Sequence, residues 1–554
     1  MSAGPAPAVD AVVAEVDRGR LMAHCAEFAR RVKLSGTPEE RESFRYLEAE
    51  CATMGFRTQL LAHDAYISLP GEAGVAVDGE NFAAITHSFS LPSPEGGLTA
   101  PLVDLGAGRP EDFSARDCRG RIVLVDGIAS PAAAALAKAA GAAGQLHVSP
   151  HEHLHEMCIS PVWGNPSAET LGHMPATVAC TVSQADGAAL RARLAATPDL
   201  VVTLHATVDT GWRTTPLLVA DLDGAAGEEA PFVLLSGHHD TWYYGVMDNG
   251  SANATMLEAA RVLAGHRAAW RRGLRICFWS GHSHGRYSGS AWYVDQNHAE
   301  LDRRCVAHVN VDSTGGVGAT DVTANGVVAC LVALAKDATR AETGQVHAGK
   351  RPSRSSDQSF WGIGVPSMFG SVSQQPPGGV AMRQALGWWW HTPHDTLDKI
   401  DPDFLVRDTR VVAHALWRLL ADPILPLRPI DEIASLRTEL AALDRGPAAA
   451  LAGAMLAAAE EAEAAVARAG PLDDAAMIAI CRALVPLDYA RADRFAHDPA
   501  LPVPAWPVLE PIRALAAAEA GTDRARFLAV DAARARNRVL SALDVAARAV
   551  APGR

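Results

Sequence analysis

The sequence predicts an α/β protein: a mostly parallel sheet, interrupted by an inserted domain and followed by a helical bundle. Three observations carry this. Short apolar runs at 232–235, 274–279, 306–311 and 366–370 alternate with helical segments, the pattern of a parallel sheet. A separate strand–helix–strand unit rich in small residues comes before the first of them. After Pro423 and Pro426 the composition shifts to Ala, Leu, Glu and Arg at helical spacing, with almost no strand signal.

Taken in order, residues 8–60 read as two amphipathic helices around the turn Ser35-Gly36-Thr37-Pro38, then an extended segment at 58–61. A strand at 120–127, an Ala-rich helix at 131–141 and a strand at 144–148 belong to the inserted unit. Helices are expected at 430–444, 448–469, 472–486, 508–520 and 523–549. Ser355-Ser356-Asp357-Gln358 reads as the cap of a further helix. The boundaries are 1–80 with 215–425 for the main domain, 81–214 for the insertion and 426–554 for the bundle.

A chain of 554 residues exceeds one ordinary core, and 49% hydrophobic with 20% charged residues is a globular composition. A formal charge of −14 without a basic block argues against a nucleic-acid binder. The N-terminus lacks a signal pattern, and the longest apolar run, 447–459, falls short of the roughly 18 residues of a membrane span. Nine scattered cysteines with no C-x-x-C pair fit reduced thiols. A cytoplasmic protein without membrane contact is the expectation.

The chemistry sits where the strands stop. The run 232–235 ends in Ser236-Gly237-His238-His239-Asp240, and Asp248-Asn249-Gly250-Ser251 opens the next helix. The second run ends in Ser280-Gly281-His282-Ser283-His284-Gly285-Arg286, the third in Asp312-Ser313. His391 follows Trp388-Trp389-Trp390, which read as a wall. Ligands bind at the carboxyl ends of strands in open α/β sheets. His238, Asp248, Asp312 and His391 therefore make a plausible shell for one or two zinc ions or another divalent metal. Asp240 suits a carboxylate that orients His238. A histidine tract, His151-Glu152-His153-Leu154-His155, reads as a lid reaching into the cleft, with a surface loop and a separate metal site as alternatives. His155 and Trp390 are candidate substrate contacts. Arg286, Arg354 and Arg383 are candidate carboxylate clamps, because a guanidinium binds a carboxylate bidentately.

The order H-x-D, D-N-G, F-W-x-x, G-S, N-x-D-S and H-T-x-x-D-T resembles the co-catalytic zinc aminopeptidases, nearest in layout to glutamate carboxypeptidase II and the transferrin receptor. The resemblance implies a zinc-peptidase domain interrupted by a protease-associated domain and followed by a helical dimerisation domain. It implies His238, Asp248 and Asp312 as ligands of one zinc, with Asp248 bridging to a second held by His391. It also implies Asp240 as the acid behind the ligand histidine, and a homodimer. One departure stands out. The family has two consecutive glutamates after F-W-x-x, a general base and a ligand of the second zinc. Here His282 and Ser283, or in the other register Ser283 and His284, take their place.

The first functional expectation is a metal-dependent hydrolase of a C–N bond in a small or short-peptide, carboxylated substrate, with His282 as base and His284 as metal ligand or substrate contact. The others are a peptidase-like binding protein without activity and a lyase-type reaction on the same scaffold.

Overall fold

The computed structural model describes residues 7–378 and 385–551. Its longer strands, in chain order, are β1 (Arg57–Val77), β2 (Leu98–Asp104), β3 (Ile122–Asp126), β4 (Gly144–Val148), β5 (Val178–Val182), β6 (Val201–Leu222), β7 (Phe232–His238), β8 (Gly273–Trp279), β9 (Cys305–Asp312) and β10 (Ser367–Ser371). The central strands run in the order β10-β9-β7-β8-β6, with β10, β9, β7 and β8 parallel and β6 antiparallel to β8. Every residue of β7, β8 and β9 is buried. That is why these strands read as continuous apolar runs rather than alternating ones. The mostly parallel α/β class is the one the sequence predicts.

The strand at 58–61 is far longer than expected. β1 and β6 form one antiparallel ribbon, pairing from Arg57–Asp221 out to Ala76–Thr203 with an irregularity between Pro70 and Ala73. The ribbon carries the sheet out of the central layer into the insertion, where β2, β3, β4 and β5 pair in parallel. That unit has its own core of Leu102, Ile122, Leu124, Leu146, Val178 and Leu204. Its edges at 81 and 214 are therefore not breaks in the backbone, because the ribbon runs through both.

Helix α1 (Arg18–Phe28) and α2 (Pro38–Thr53) flank the predicted turn, where Gly36 has φ of 81°. The Thr37 side chain accepts the Glu40 N–H, and the Glu40 carboxylate accepts the Gly36 N–H at 2.7 Å, closing the N-terminus of α2. α3 (Ala252–Ala264), buried along nearly its whole length, packs behind the strands with α4 (Pro402–Ala421). The C-terminal helices are α5 (Pro429–Ala441), α6 (Ala449–Ala469), α7 (Asp474–Tyr489), α8 (Glu510–Ala516) and α9 (Asp523–Ala549), close to their expected places. They share a core built on Ile433, Leu436, Met455, Leu484, Ile512 and Val539.

One expected element is absent. Ser355 to Gln358 open no helix; Ser356 and Asp357 have φ of 53° and 56°, and the chain turns through Gly364 into β10. The reason lies in the site, where the Asp357 carboxylate bonds side chains far away in sequence instead of local N–H groups. All nine cysteines are buried free thiols. Among the described residues, no helix is long and apolar enough to cross a membrane.

The bundle meets the main domain at a buried acid. Glu432 on α5 is fully buried, accepts the Cys330 N–H at 2.9 Å and leaves its second oxygen unpartnered. Burial, with the charge of Asp488 adding to it, raises its pKa from the ordinary 4.5 to about 8. The folded state thus holds this proton between pH 4.5 and 8 while the unfolded chain has lost it, so stability falls as pH rises through that window. Glu432→Gln is expected to flatten this dependence, gaining up to roughly 3–5 kcal/mol near pH 8 relative to the parent. Urea denaturation at pH 5 and pH 8 checks it; parallel curves for both proteins would refute it.

Candidate metal centre

The centre lies at the carboxyl ends of β7 and β9. β7 ends on His238 and β9 on Asp312, and Asp248 sits in the tight turn that precedes α3. Asn249 ties these pieces together. Its side-chain nitrogen donates to the carbonyls of His238 and Val311 at 3.2 and 3.3 Å, and its oxygen accepts the Ser313 N–H at 2.8 Å. Asp395 accepts the N–H groups of Met247 and Asp248 at 2.8 and 3.0 Å, which fixes the backbone of Asp248.

His238 donates its Nδ1 proton to the Asp240 carbonyl at 2.8 Å, so Nε2 is the atom that faces the centre. Nε2 is buried and without a hydrogen bond, yet Oδ1 of Asp248 lies 3.1 Å and Oδ1 of Asp312 4.0 Å away. The other oxygen of Asp248 is 3.0 Å from Nε2 of His391. One carboxylate therefore stands between two imidazoles with an oxygen for each. Burial alone would lower the pKa of His238; the carboxylates of Asp248, Asp312 and Asp240 outweigh it and raise the pKa to about 10. The cluster thus calls for a positive charge at one point, and its N and O donors suit zinc.

His391 is held by the insertion. Its Nδ1 donates to the Glu156 carbonyl at 2.7 Å, and the Glu156 N–H donates back to the His391 carbonyl at 3.1 Å. Trp390 stacks on its ring with centroids 3.6 Å apart.

The segment that carries this geometry resembles known proteins. Residues 218–416, the stretch that supplies His238, Asp248, Asp312 and His391, match the profile of Peptidase family M28. Over this segment the chain is similar to peptidase family M28. It is similar to a probable glutamate carboxypeptidase of Zea mays, VP8, 25% identical over 51% of this chain and 49% of that protein. It is also similar to aminopeptidase YwaD of Bacillus subtilis, 26% identical over 51% of this chain and 58% of that one. The chain thus spans about half the length of each relative. Among solved structures, an M28 peptidase precursor from Shewanella amazonensis superposes with a TM-score of 0.60 at 20% identity, over 76% of this chain and 97% of that one. BSAP, a zinc aminopeptidase from Bacillus subtilis, gives 0.57 at 21% identity, over 74% and 96%. These two likenesses show the fold.

At 282–284, where the resemblance leads to an expectation of two glutamates, the structure separates the three residues. His282 bonds Oδ2 of Asp357 through Nδ1 at 2.6 Å, and its ring stacks on His238 with centroids 3.6 Å apart and planes 14° from parallel. His238, His282 and Asp312 bring ligand-type atoms within 4.8 Å of one another. The stacking nevertheless separates the two histidines in role. A metal lies in the plane of a ligand imidazole about 2.0–2.1 Å from its nitrogen, and one ion cannot lie in two near-parallel planes this far apart. His282 therefore stands over the centre rather than in it. Ser283 lines the same cavity, its Oγ buried and unpartnered.

His284, expected as a ligand, is anchored through Nδ1 while its Nε2 is buried and unpartnered. Its Nδ1 is 3.0 Å from Ser35 Oγ, and its ring lies against Trp242 at 4.3 Å, fully buried. Asp240 is not where the reaction would be. Its carboxylate is 3.8 Å from Nδ1 of His238, whose proton goes to the Asp240 carbonyl instead. The carboxylate accepts Ser35 Oγ–H and the N–H groups of His282 and Ser283, at 2.7, 3.2 and 2.8 Å, so it shapes the 282–283 turn. Burial opposes its ionisation, but His284, His238 and His282 hold its pKa below the ordinary carboxylate range.

A cavity of about 420 Å³ opens on Asp248, Asp312, His282 and His391. Met157 and Cys158 of the insertion and Ala500 to Pro502 of the C-terminal region line it too. Arg286 is buried in its wall, with Nε and Nη2 unpartnered and Nη1 3.3 Å from Tyr287 Oη. Arg354 also lines it, but its guanidinium is spent on the carbonyls of Asp498 and Pro499 and lies over Trp163. It is a wall, not a free clamp. His155 does not reach the cavity. Its Nδ1 faces the Trp390 carbonyl at 2.5 Å and its Nε2 faces Nε2 of His151 at 2.9 Å, and burial lowers its pKa to about 3. The segment 151–166 is thus docked against the centre, holding His391 from behind. Trp390 lines the cavity, and Arg383 lies outside the described residues.

The sequence reading missed Asp357 and the backbone of Glu156. Both act across long separations, 75 and 235 residues, that no local pattern encodes.

Proposed function

We propose that this chain is a metal-dependent hydrolase of a C–N bond in a small, carboxylated, peptide-like substrate. The observation that carries the reading is the buried Nε2 of His238, flanked by Asp248 and Asp312, with the His282 ring stacked over it. His238, Asp248 and Asp312 would hold the zinc. When bound there, zinc supplies a Lewis acid and brings the pKa of a water to about 7. Nε2 of His282, free because Nδ1 is bonded to Asp357, takes a proton from the attacking water. As the C–N bond breaks, the same nitrogen returns that proton to the leaving amine. The water's oxygen and its other hydrogen end on the acyl product, and His282 finishes as it began. Nε and Nη2 of Arg286 pair with a substrate carboxylate, since guanidinium donors left without a partner in a buried wall are costly.

The test uses the zinc-loaded protein with a panel of dipeptides and N-acyl amino acids beside their C-terminal amides. The free acids are expected to be hydrolysed, and the amides at least about tenfold more slowly. No hydrolysis of any member by protein with bound zinc would overturn the reading.

The second metal position is poorly supplied. Besides the shared Asp248 it has His391, while Ser283 stands where the family pattern has a carboxylate ligand. One zinc per chain is therefore expected by elemental analysis, rising toward two in Ser283→Glu. Two ions in the parent protein would contradict this.

A homodimer in the cytoplasm completes the proposal. Phe527 and Val530, 75% and 53% exposed on α9, fit a face covered by a second copy. Sedimentation at micromolar concentration is expected to give a dimer; a monomer there refutes it.

A further inference from the structure

We infer that Asp357 is the positioning residue that makes His282 a base, and that a one-way chain of hydrogen bonds from the insertion fixes it. This rests on the reading of His282 given above. The chain begins at Trp163 in the insertion, whose indole Nε1–H donates to Ser359 Oγ at 2.9 Å. An indole nitrogen only donates, so Ser359 is the acceptor there and its own hydroxyl proton is free to go on. Ser359 Oγ lies 2.9 Å from Ser290 Oγ, and Ser290 Oγ–H donates to Oδ1 of Asp357 at 2.7 Å. Ser290 also lies 3.2 Å from the Tyr287 carbonyl, a longer contact. Every donor therefore points toward the carboxylate, and an ionised carboxylate can only accept.

The consequence falls on the imidazole. Oδ2 of Asp357 is 2.6 Å from Nδ1 of His282, so Nδ1 carries the proton and Nε2 carries the lone pair. Asp357 is 1% exposed, and His282 stacks on His238 on one face, with the near-perpendicular Tyr287 ring at a centroid separation of 4.7 Å. The ring is thus held in one tautomer and one orientation, with its acceptor nitrogen turned to the cavity. A glutamate base needs no such partner, because either of its oxygens accepts a proton. A histidine base does, because a neutral imidazole in the wrong tautomer offers an N–H where a lone pair is required. The replacement at 282 and the turn that brings Asp357 beneath it form one arrangement, and Trp163 makes the insertion part of it.

The experiment compares Asp357→Asn, His282→Ala and the double variant, all loaded with zinc, on one substrate cleaved by the parent. Asp357→Asn is expected to lower kcat about 100-fold with KM within about twofold and zinc content unchanged, and Asp357→Glu to recover part of the loss. The double variant should be no slower than His282→Ala alone, because Asp357 acts through His282. Losses that multiply in the double variant, or a normal kcat in Asp357→Asn while His282→Ala is slow, overturn the inference and leave the base assignment standing. A normal rate in His282→Ala sinks the base assignment itself. The hydrogen bond is tested without turnover by proton NMR. A downfield imidazole N–H resonance present in the parent should vanish in both His282→Ala and Asp357→Asn, and its survival in Asp357→Asn overturns the inference. If Asp357→Asn fails to fold, Ser290→Ala serves in its place, with a kcat loss of about tenfold expected and unchanged kcat counting against the inference.

Discussion

His282→Ala is expected to lower kcat by about 100-fold or more while zinc content stays that of the parent protein. Both halves follow from geometry. The His282 ring stacks on His238 rather than sharing an ion with it, so its removal takes away no ligand. It does remove the nitrogen that Asp357 orients toward the cavity, and proton transfer by a positioned side chain contributes about 10²–10⁴ in rate. Elemental analysis with steady-state kinetics on one preparation checks both. Loss of zinc with activity would return His282 to the ligand shell, and near-normal turnover would remove it from the chemistry. His284→Ala gives the contrast. Its Nδ1 meets Ser35 and its ring lies against Trp242, and it is not one of the proposed ligands His238, Asp248 and Asp312, so bound zinc should be unchanged. Writing Glu at both 282 and 283 then asks whether the scaffold accepts the usual carboxylate pair.

The parallel strands were legible because burial on both faces writes them as unbroken apolar runs, and β7, β8 and β9 are buried throughout. The polar residues ending those runs were legible for the same reason, since a strand end is one of few places where such a run can break. The β1–β6 ribbon was not, because its solvated outer half, through Pro70 and Gly71, loses the alternation of a strand. Asp357 was misread for a different cause. Ser-Ser-Asp-Gln carries a good local capping signal, and the competing partners, His282 and Ser290, are 75 and 67 residues away. Arg354 is not a free clamp and His155 stays outside the cavity because their partners, the carbonyls of Asp498 and Trp390, come from segments whose approach only the folded chain defines. Arg286 could be read as cationic but not as unpaired. Pairing is a property of the surrounding wall.

Asp248→Asn is expected to be the most damaging single change. Each carboxylate oxygen faces an imidazole nitrogen, at 3.1 Å for His238 and 3.0 Å for His391, so no other side chain can stand in for it. An amide keeps the shape but withdraws a full negative charge from a point where burial already disfavours a cation. The carboxylates around His238 raise its pKa to about 10 against that burial, and Asp248 leads them. The same carboxylates attract a divalent ion, which carries twice the charge of a proton. Zinc content should fall from about one per chain toward none, with activity down by at least about 10³-fold, because the Lewis acid is lost together with its contribution to the attacking water. Thermal unfolding gives a readout independent of turnover. A ligand bound only by the folded state stabilises it by about 2.7 kcal/mol at a hundred times its Kd, so added zinc should raise the parent's Tm and a chelator should lower it. Asp248→Asn should respond to neither. Its backbone is held by the Asn249 and Asp395 hydrogen bonds in either case, so a folded variant with an unchanged zinc response would show that the metal sits elsewhere.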